Sequence, residues 1–157
     1  MASTPLGLGP LQTGIALTIS GLDSAASGTL LISNAFNIPP LASSDSYPDV
    51  VDLVLQLGSS ITLGASPQMS AVLIIARDGT NFEPAYVSNN ALFPYYGGVT
   101  PPLDPSVVYQ TLVCPGIIVP AVLASGNFAK LAFYWNGGVA LPVSVTPTLY
   151  PSGFSAG

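Results

Sequence analysis

Histidine is absent from the chain, cysteine occurs once, and Arg77 and Lys130 are the only cations, set against seven acids. Without histidine the commonest general base, the Ser/His and Cys/His nucleophile pairs and the most frequent metal ligand are missing. That argues against zinc, most transition-metal sites and the usual hydrolases. The lone Cys114 cannot form an intrachain disulfide and has no base to activate it. It reads as a small buried filler in the product of a reducing compartment.

Charge is scarce altogether: 6% of residues are charged, where about 25% is usual for a soluble protein. A net charge of -5 with so few cations argues against nucleic acid, whose phosphates are held by Lys and Arg. Long apolar runs are also lacking. The longest, GIIVPAVLA at 116–124, is interrupted by Pro120 and falls far short of the ~20 residues that a spanning helix needs. No membrane association is therefore expected. The opening MASTPLGLGPLQTG has neither a basic n-region nor a compact apolar core, so synthesis in the cytoplasm is expected. A surface of Ser, Thr, Asn, Gly and Pro with few ions has little electrostatic protection against association, which suits a molecule that ends up packed in an assembly.

What the chain does have is 16 prolines and 16 glycines spread over 157 residues, leaving few intervals wide enough for a helix. The segments between them are short, β-branched and often alternating, as strands are. Strands are expected in IALTIS (15–20), TLLIS (29–33), VVDLVLQL (50–57), MSAVLIIA (69–76), VVYQTLV (107–113), NFAKLAFYW (127–135) and VALPVSVTPTLY (139–150), with a further short piece at 61–63. The run at 69–76 has lost its alternation, which marks burial on both faces, and a central place in a sheet is expected for it. The fold class is all-β. Residues 13–157 read as a single-domain β-sandwich of about eight antiparallel strands, jelly-roll-like. Residues 1–12 read as an extended N-terminal arm. A chain of this length can bury about 68–70% of the surface that it exposes unfolded.

Several stretches carry residues capable of chemistry. RDGTNFEPAY (77–86) offers Asp78, Asn81 and Glu83 as oxygen ligands, but not at the spacing of a twelve-residue calcium loop. Asp-Gly after an apolar strand is instead a turn signal, with Asp78 and Gly79 expected at the surface and Leu73 and Ile75 buried. Asp45, Asp49 and Asp52 are the candidates for carboxylate hydrolysis, yet they form no clear acid pair and read as solvated or capping groups. Gly7 and Gly9 neither follow a strand nor open a helix, so no dinucleotide site is expected. Trp135 with Phe128, Phe133 and Tyr134 reads as core in preference to a sugar platform. No catalytic residue, cofactor or metal site is assigned.

Two segments remain as contact elements. Pro5, Leu6, Leu8, Pro10 and Leu11 either drape over a neighbour or form a free tail. The stretch 89–105 (NNALFPYYGGVTPPLDP) reads as a long loop, a class usually functional or disordered. Its Phe93, Tyr95 and Tyr96 either meet a partner or cover the chain's own sandwich.

The order of YPDVVDLVLQL (47–57), VLIIARDGTNF (72–82) and NFAKLAFYWNGGVALPVSVTPTLY (127–150), with two C-terminal strands around an Asn-Gly turn, resembles that of small structural proteins of tailed-bacteriophage virions, of the capsid decoration or cement type. The resemblance covers about two-thirds of the chain and departs from the pattern in having only Lys130 as a basic residue in the penultimate strand. It implies a non-enzymatic jelly-roll-like protein, made in the host cytoplasm, that binds the major capsid protein on the outside of the head and stabilises the shell. A homo-oligomer is implied, a trimer ahead of a dimer. The alternative is a carbohydrate- or receptor-binding module of a tail or head fibre.

Overall fold

The computed structural model describes residues 13–40, 48–120 and 129–152. These residues contain nine strands and no helix: β1 (Ile15–Ala16), β2 (Thr29–Ile32), β3 (Val50–Thr62), β4 (Gln68–Ile75), β5 (Tyr86–Ser88), β6 (Ala91–Phe93), β7 (Val108–Ile118), β8 (Ala129–Asn136) and β9 (Val145–Ser152). Among the described residues no helix is long and apolar enough to cross a membrane.

The strands form two main antiparallel sheets, a four-stranded sheet ordered β1-β9-β3-β7 and a three-stranded sheet ordered β2-β8-β4, with β5 and β6 as a separate hairpin. The pairings nest from the ends of the chain inward. β1 lies on β9, β2 on β8 and β3 on β7, while Ala71 of β4 bridges Val99. Alternation explains which side chains enter the core, because successive side chains of a strand point to opposite faces. From β3 the inward set is Val51, Leu53, Leu55 and Leu57; from β8 it is Ala129, Leu131, Phe133 and Trp135. Together with Leu73 and Ile75 of β4 and Leu149 of β9, they fill the space between the sheets. The chain is an all-β sandwich.

Three expectations change. The segment 69–76 is buried on both faces, but β4 is the outer strand of its ladder and β8 the middle one. Its second buried face comes from a further apolar cluster, in which Val72, Ile74, Ala132 and Tyr134 lie under Leu92, Phe82, Ala85 and Val87. The region 77–99 is therefore a cover laid over the three-stranded sheet. Second, β8 and β9 flank the Asn-Gly pair without pairing to each other, since β8 belongs to one sheet and β9 to the other. The crossing between them is tight. A Cβ on Gly137 would lie 2.2 Å from the Trp135 ring, whose Nε1 donates to the Val139 carbonyl at 2.7 Å. Third, β7 continues through Pro115 and Gly116 to Ile118. It can do so because it is an edge strand, where proline is tolerated, and because Pro115 and Gly116 form a bulge opposite Asp52.

Candidate interaction surface

The stretch from Arg77 to Gly97 brings Phe93, Tyr95 and Tyr96 to one corner of the molecule. It begins with a tight reversal. The Asp78 carboxylate accepts the Thr80 N–H at 2.9 Å, the Asn81 N–H at 2.7 Å and the Asn81 side-chain amide at 2.7 Å, and Gly79 takes a φ of 79°. The three donors, Asn81 N–H foremost, hold the Asp78 carboxyl down at about 2. Asp78 is exposed, Gly79 half-buried, and Leu73 and Ile75 are buried. The turn closes with Ala76 bridging Phe82 and the Glu83 N–H donating to the Ile75 carbonyl at 3.0 Å. Lys130 Nζ, from the neighbouring strand, stands 4.4 Å over the Phe82 ring.

The segment 89–105, expected as a long loop, instead begins with the turn and second strand of a hairpin. β5 and β6 pair in the register Tyr86 to Phe93, Val87 to Leu92 and Ser88 to Ala91. The two residues between them, Asn89 and Asn90, both have positive φ, 51° and 62°. A two-residue hairpin turn of the primed type requires this, and asparagine tolerates it better than most residues. Leu92 points down into the second apolar cluster. The opposite face of the hairpin puts Tyr86 against Phe93, stacked with ring centroids 5.1 Å apart and planes 11° apart. Tyr95 follows at 6.0 Å from Phe93. In this hairpin region Leu92 covers the sandwich, while Tyr86, Tyr95 and Tyr96 are exposed by 54%, 57% and 46%.

The corner is fixed to the sandwich at two places. The Tyr96 hydroxyl donates to Glu83 Oε2, and Arg77 Nη2 lies 3.6 Å from the other Glu83 oxygen, which has no hydrogen-bond partner. Partial burial, followed by the carboxylate's pull on the hydroxyl proton, pushes the Tyr96 phenol up to about 12. At the second place, Gly97 packs against the end of β7. A Cβ there would lie 3.0 Å from Ile118 Cβ, and the Gly97 carbonyl accepts the Ile118 N–H at 3.4 Å. The exposed Ile118 side chain thus adjoins the corner. Tyr86 and Ile118 were not singled out in sequence. The available signal was Asn-Asn between two short apolar segments, which places Tyr86 opposite Phe93.

Pro5, Leu6, Leu8, Pro10 and Leu11 lie outside the described residues, as does Asp45. Of the other candidate acids, Asp52 is engaged through its carboxylate and Asp49 through its backbone carbonyl. Asp52 Oδ1 accepts the Gly116 N–H of the β7 bulge at 2.8 Å, and the Asp49 carbonyl accepts the Val119 N–H at 2.9 Å. Asp104 is held below the usual carboxylate range by the Ser106 hydroxyl and the Ser106 N–H. Cys114 is buried and its thiol is pushed up to about 12 by burial, which suits a core filler. Trp135 and Phe133 are fully buried. Among the described residues no group of three or more His, Cys, Asp or Glu is placed to share a metal ion. The arrangement is one of contact: an aromatic corner anchored on two sides, with Arg77, Asp78 and Glu83 in the turn beneath it.

No family model, curated protein or solved structure matches the chain.

Proposed function

We propose that the chain is a non-enzymatic structural protein of a tailed-bacteriophage virion, a decoration or cement protein that adheres to the outside of the head and stabilises the shell. The observation that carries this reading is the exposed aromatic corner of Tyr86, Tyr95 and Tyr96, held on a sandwich that carries few charges as a whole. Tyrosine supplies large contact area at low entropic cost and is enriched where interfaces are strongest. The nesting of β1 on β9, β2 on β8 and β3 on β7 supports the finer assignment of the sandwich as a jelly roll, a fold used by virion proteins. The acidic balance favours the exterior of a head over its DNA-facing interior. The proposed partners are the major capsid protein and further copies of the chain, a trimer ahead of a dimer.

Pelleting the purified protein with undecorated heads of the phage that carries it tests the reading. Retention on the heads is expected, and the Tyr95→Ser/Tyr96→Ser double variant should be retained at least ~10-fold more weakly, as the loss of two anchoring aromatics implies. A folded protein that leaves the heads quantitatively in the supernatant would refute it.

The Tyr86–Phe93 stack with Tyr95 beside it also favours a second reading, a module that binds sugar rings in a tail or head fibre. Aromatic faces aligned in this way suit the apolar face of a pyranose. Binding on a glycan array, lost in Tyr95→Ser, would support that reading; an empty array would remove it.

A further inference from the structure

Asn136 and Gly137 form the only Asn-Gly pair of the chain, and they stand where β8 leaves one sheet and the chain crosses to the other. The pair is chemically labile. With no side chain on the second residue, its backbone nitrogen has open access to the asparagine carboxamide, and asparagine is already among the thermolabile residues. Every other asparagine precedes a residue that carries a Cβ. The fold also fixes the glycine: a Cβ on Gly137 would lie 2.2 Å from the buried Trp135 ring, and one on Gly138 2.8 Å from Gly64 Cα. The crossing therefore retains the labile pair. The related Asp78-Gly79 pair is blocked, because the Gly79 N–H donates to the Ala76 carbonyl at 3.0 Å and the Asp78 carboxylate, kept ionised by its three donors, is a poor electrophile.

Around Asn136 the fold supplies restraint in place of a block. Asn136 ends β8 in extended conformation, opposite Gln68 of β4. The Ser27 hydroxyl donates to Asn136 Oδ1 at 3.0 Å, and Ser27 Oγ accepts the Gly138 N–H at 2.9 Å. On the other side the Gly137 carbonyl accepts the Gly64 N–H at 2.8 Å. For Asn136 Cγ to meet the Gly137 nitrogen, the side chain must leave Ser27 and the Asn136 backbone must turn out of the ladder. Ser27 and Gly138 are exposed and Asn136 is half-buried. The restraint is thus a strand end at the surface, where local opening costs less than unfolding the whole.

We propose that Asn136 is a self-modification site, converted to aspartate and isoaspartate in the folded chain at a rate set by release of its side chain from Ser27. The Gly137 nitrogen gives up its proton to solvent base and attacks Asn136 Cγ. The Cγ–Nδ2 bond breaks, the amide nitrogen leaves as ammonia, and a five-membered succinimide remains. Water then opens either carbonyl of the ring, giving aspartate or isoaspartate, with no change of oxidation state. Both products add a negative charge. The isoaspartate also lengthens the main chain by a methylene beside the crossing that the Trp135 Nε1 bond to the Val139 carbonyl holds tight, and so loosens it. The modification does not depend on the virion reading.

Incubation of the full chain in mildly alkaline buffer, followed by peptide mass mapping with isoaspartate detection, tests it. In the folded parent Asn136 is expected to convert ahead of every other asparagine, yet at least ~10-fold more slowly than in the urea-unfolded chain. Ser27→Ala should speed conversion about 2- to 10-fold, as release of one hydrogen bond implies. Ser27→Thr, which keeps the hydroxyl, should convert at close to the parent rate. Leu92→Ala, which removes a buried side chain from the second apolar cluster, should also leave the rate near the parent's and so separates local release from global unfolding. Melting midpoints verify that each variant is folded during incubation. No conversion at Asn136 in the unfolded chain, equal rates in folded and unfolded chains, indifference to Ser27→Ala, or an acceleration by Leu92→Ala matching that of Ser27→Ala would each overturn the proposal.

Discussion

Asp52 illustrates how a single side chain changes meaning once its neighbours are known. In sequence it was one of three acids to be tested for hydrolysis; in the fold its carboxylate holds the bulge that lets β7 pass Pro115 and Gly116. Asp52→Asn, which keeps an acceptor, is expected to melt close to the parent. Asp52→Ala should lose about 1 kcal/mol, the net value of one such hydrogen bond. Gly116→Ala, at a φ of 73°, should lose about 1–2 kcal/mol through backbone strain. Denaturant titration of the three variants checks the order. An Asp52→Ala protein as stable as the parent would contradict the capping role.

Two titrations belong to the same scale. The Asp78 carboxyl is lowered to about 2 from an unfolded value near ~3.9. Its contribution to stability is present above about pH 4 and is lost as pH falls toward 2. The gap in melting midpoint between the parent and Asp78→Ala should therefore narrow over that window. Tyr96 is raised to about 12 from about 10, so its contribution is present below about pH 10 and lost as pH rises toward 12. Ultraviolet titration should show a late-titrating phenol that Tyr96→Phe removes. The Asp-Gly turn was legible because both residues have strong local preferences. The Tyr96–Glu83 contact was not, since nothing local brings those two side chains together.

At the scale of elements, strands with clean alternation were readable and strands shaped by their surroundings were not. β3 and β8 show their inward sets directly, and Ala129, Leu131, Phe133 and Trp135 separate from Lys130, Ala132 and Tyr134 as the pattern implies. The lost alternation of β4 correctly marked two buried faces. It could not distinguish a middle strand from an outer strand under a cover, because burial and ladder position are different properties. β5 and β6 were missed because three residues are too few to show a period. Their turn should nonetheless matter: Leu92→Ala removes a buried side chain from the second cluster and is expected to cost about 2–5 kcal/mol. Thermal unfolding checks this, and a loss below about 1 kcal/mol would mean that the cover is not packed as described.

Over the whole molecule, composition determined the class and topology stayed hidden. Pro and Gly punctuation with short β-branched segments leaves little besides a β-sandwich, but β1 lies on β9 and β2 on β8 through contacts that span most of the chain and leave no local trace. The aromatic corner was half legible, since Phe93, Tyr95 and Tyr96 stood out in an apolar, turn-rich stretch while Tyr86 and Ile118 joined them only through pairing. The function proposed above is adhesion, in which exposed tyrosines would meet a protein lattice and many weak attachments would multiply into a firm one. The thermal rupture of undecorated heads, followed by DNA release with and without added protein, tests that claim most directly. A higher rupture temperature is predicted with the parent protein, and a smaller rise with Tyr95→Ser/Tyr96→Ser at the same concentration. An unchanged rupture temperature at saturating folded protein would contradict it.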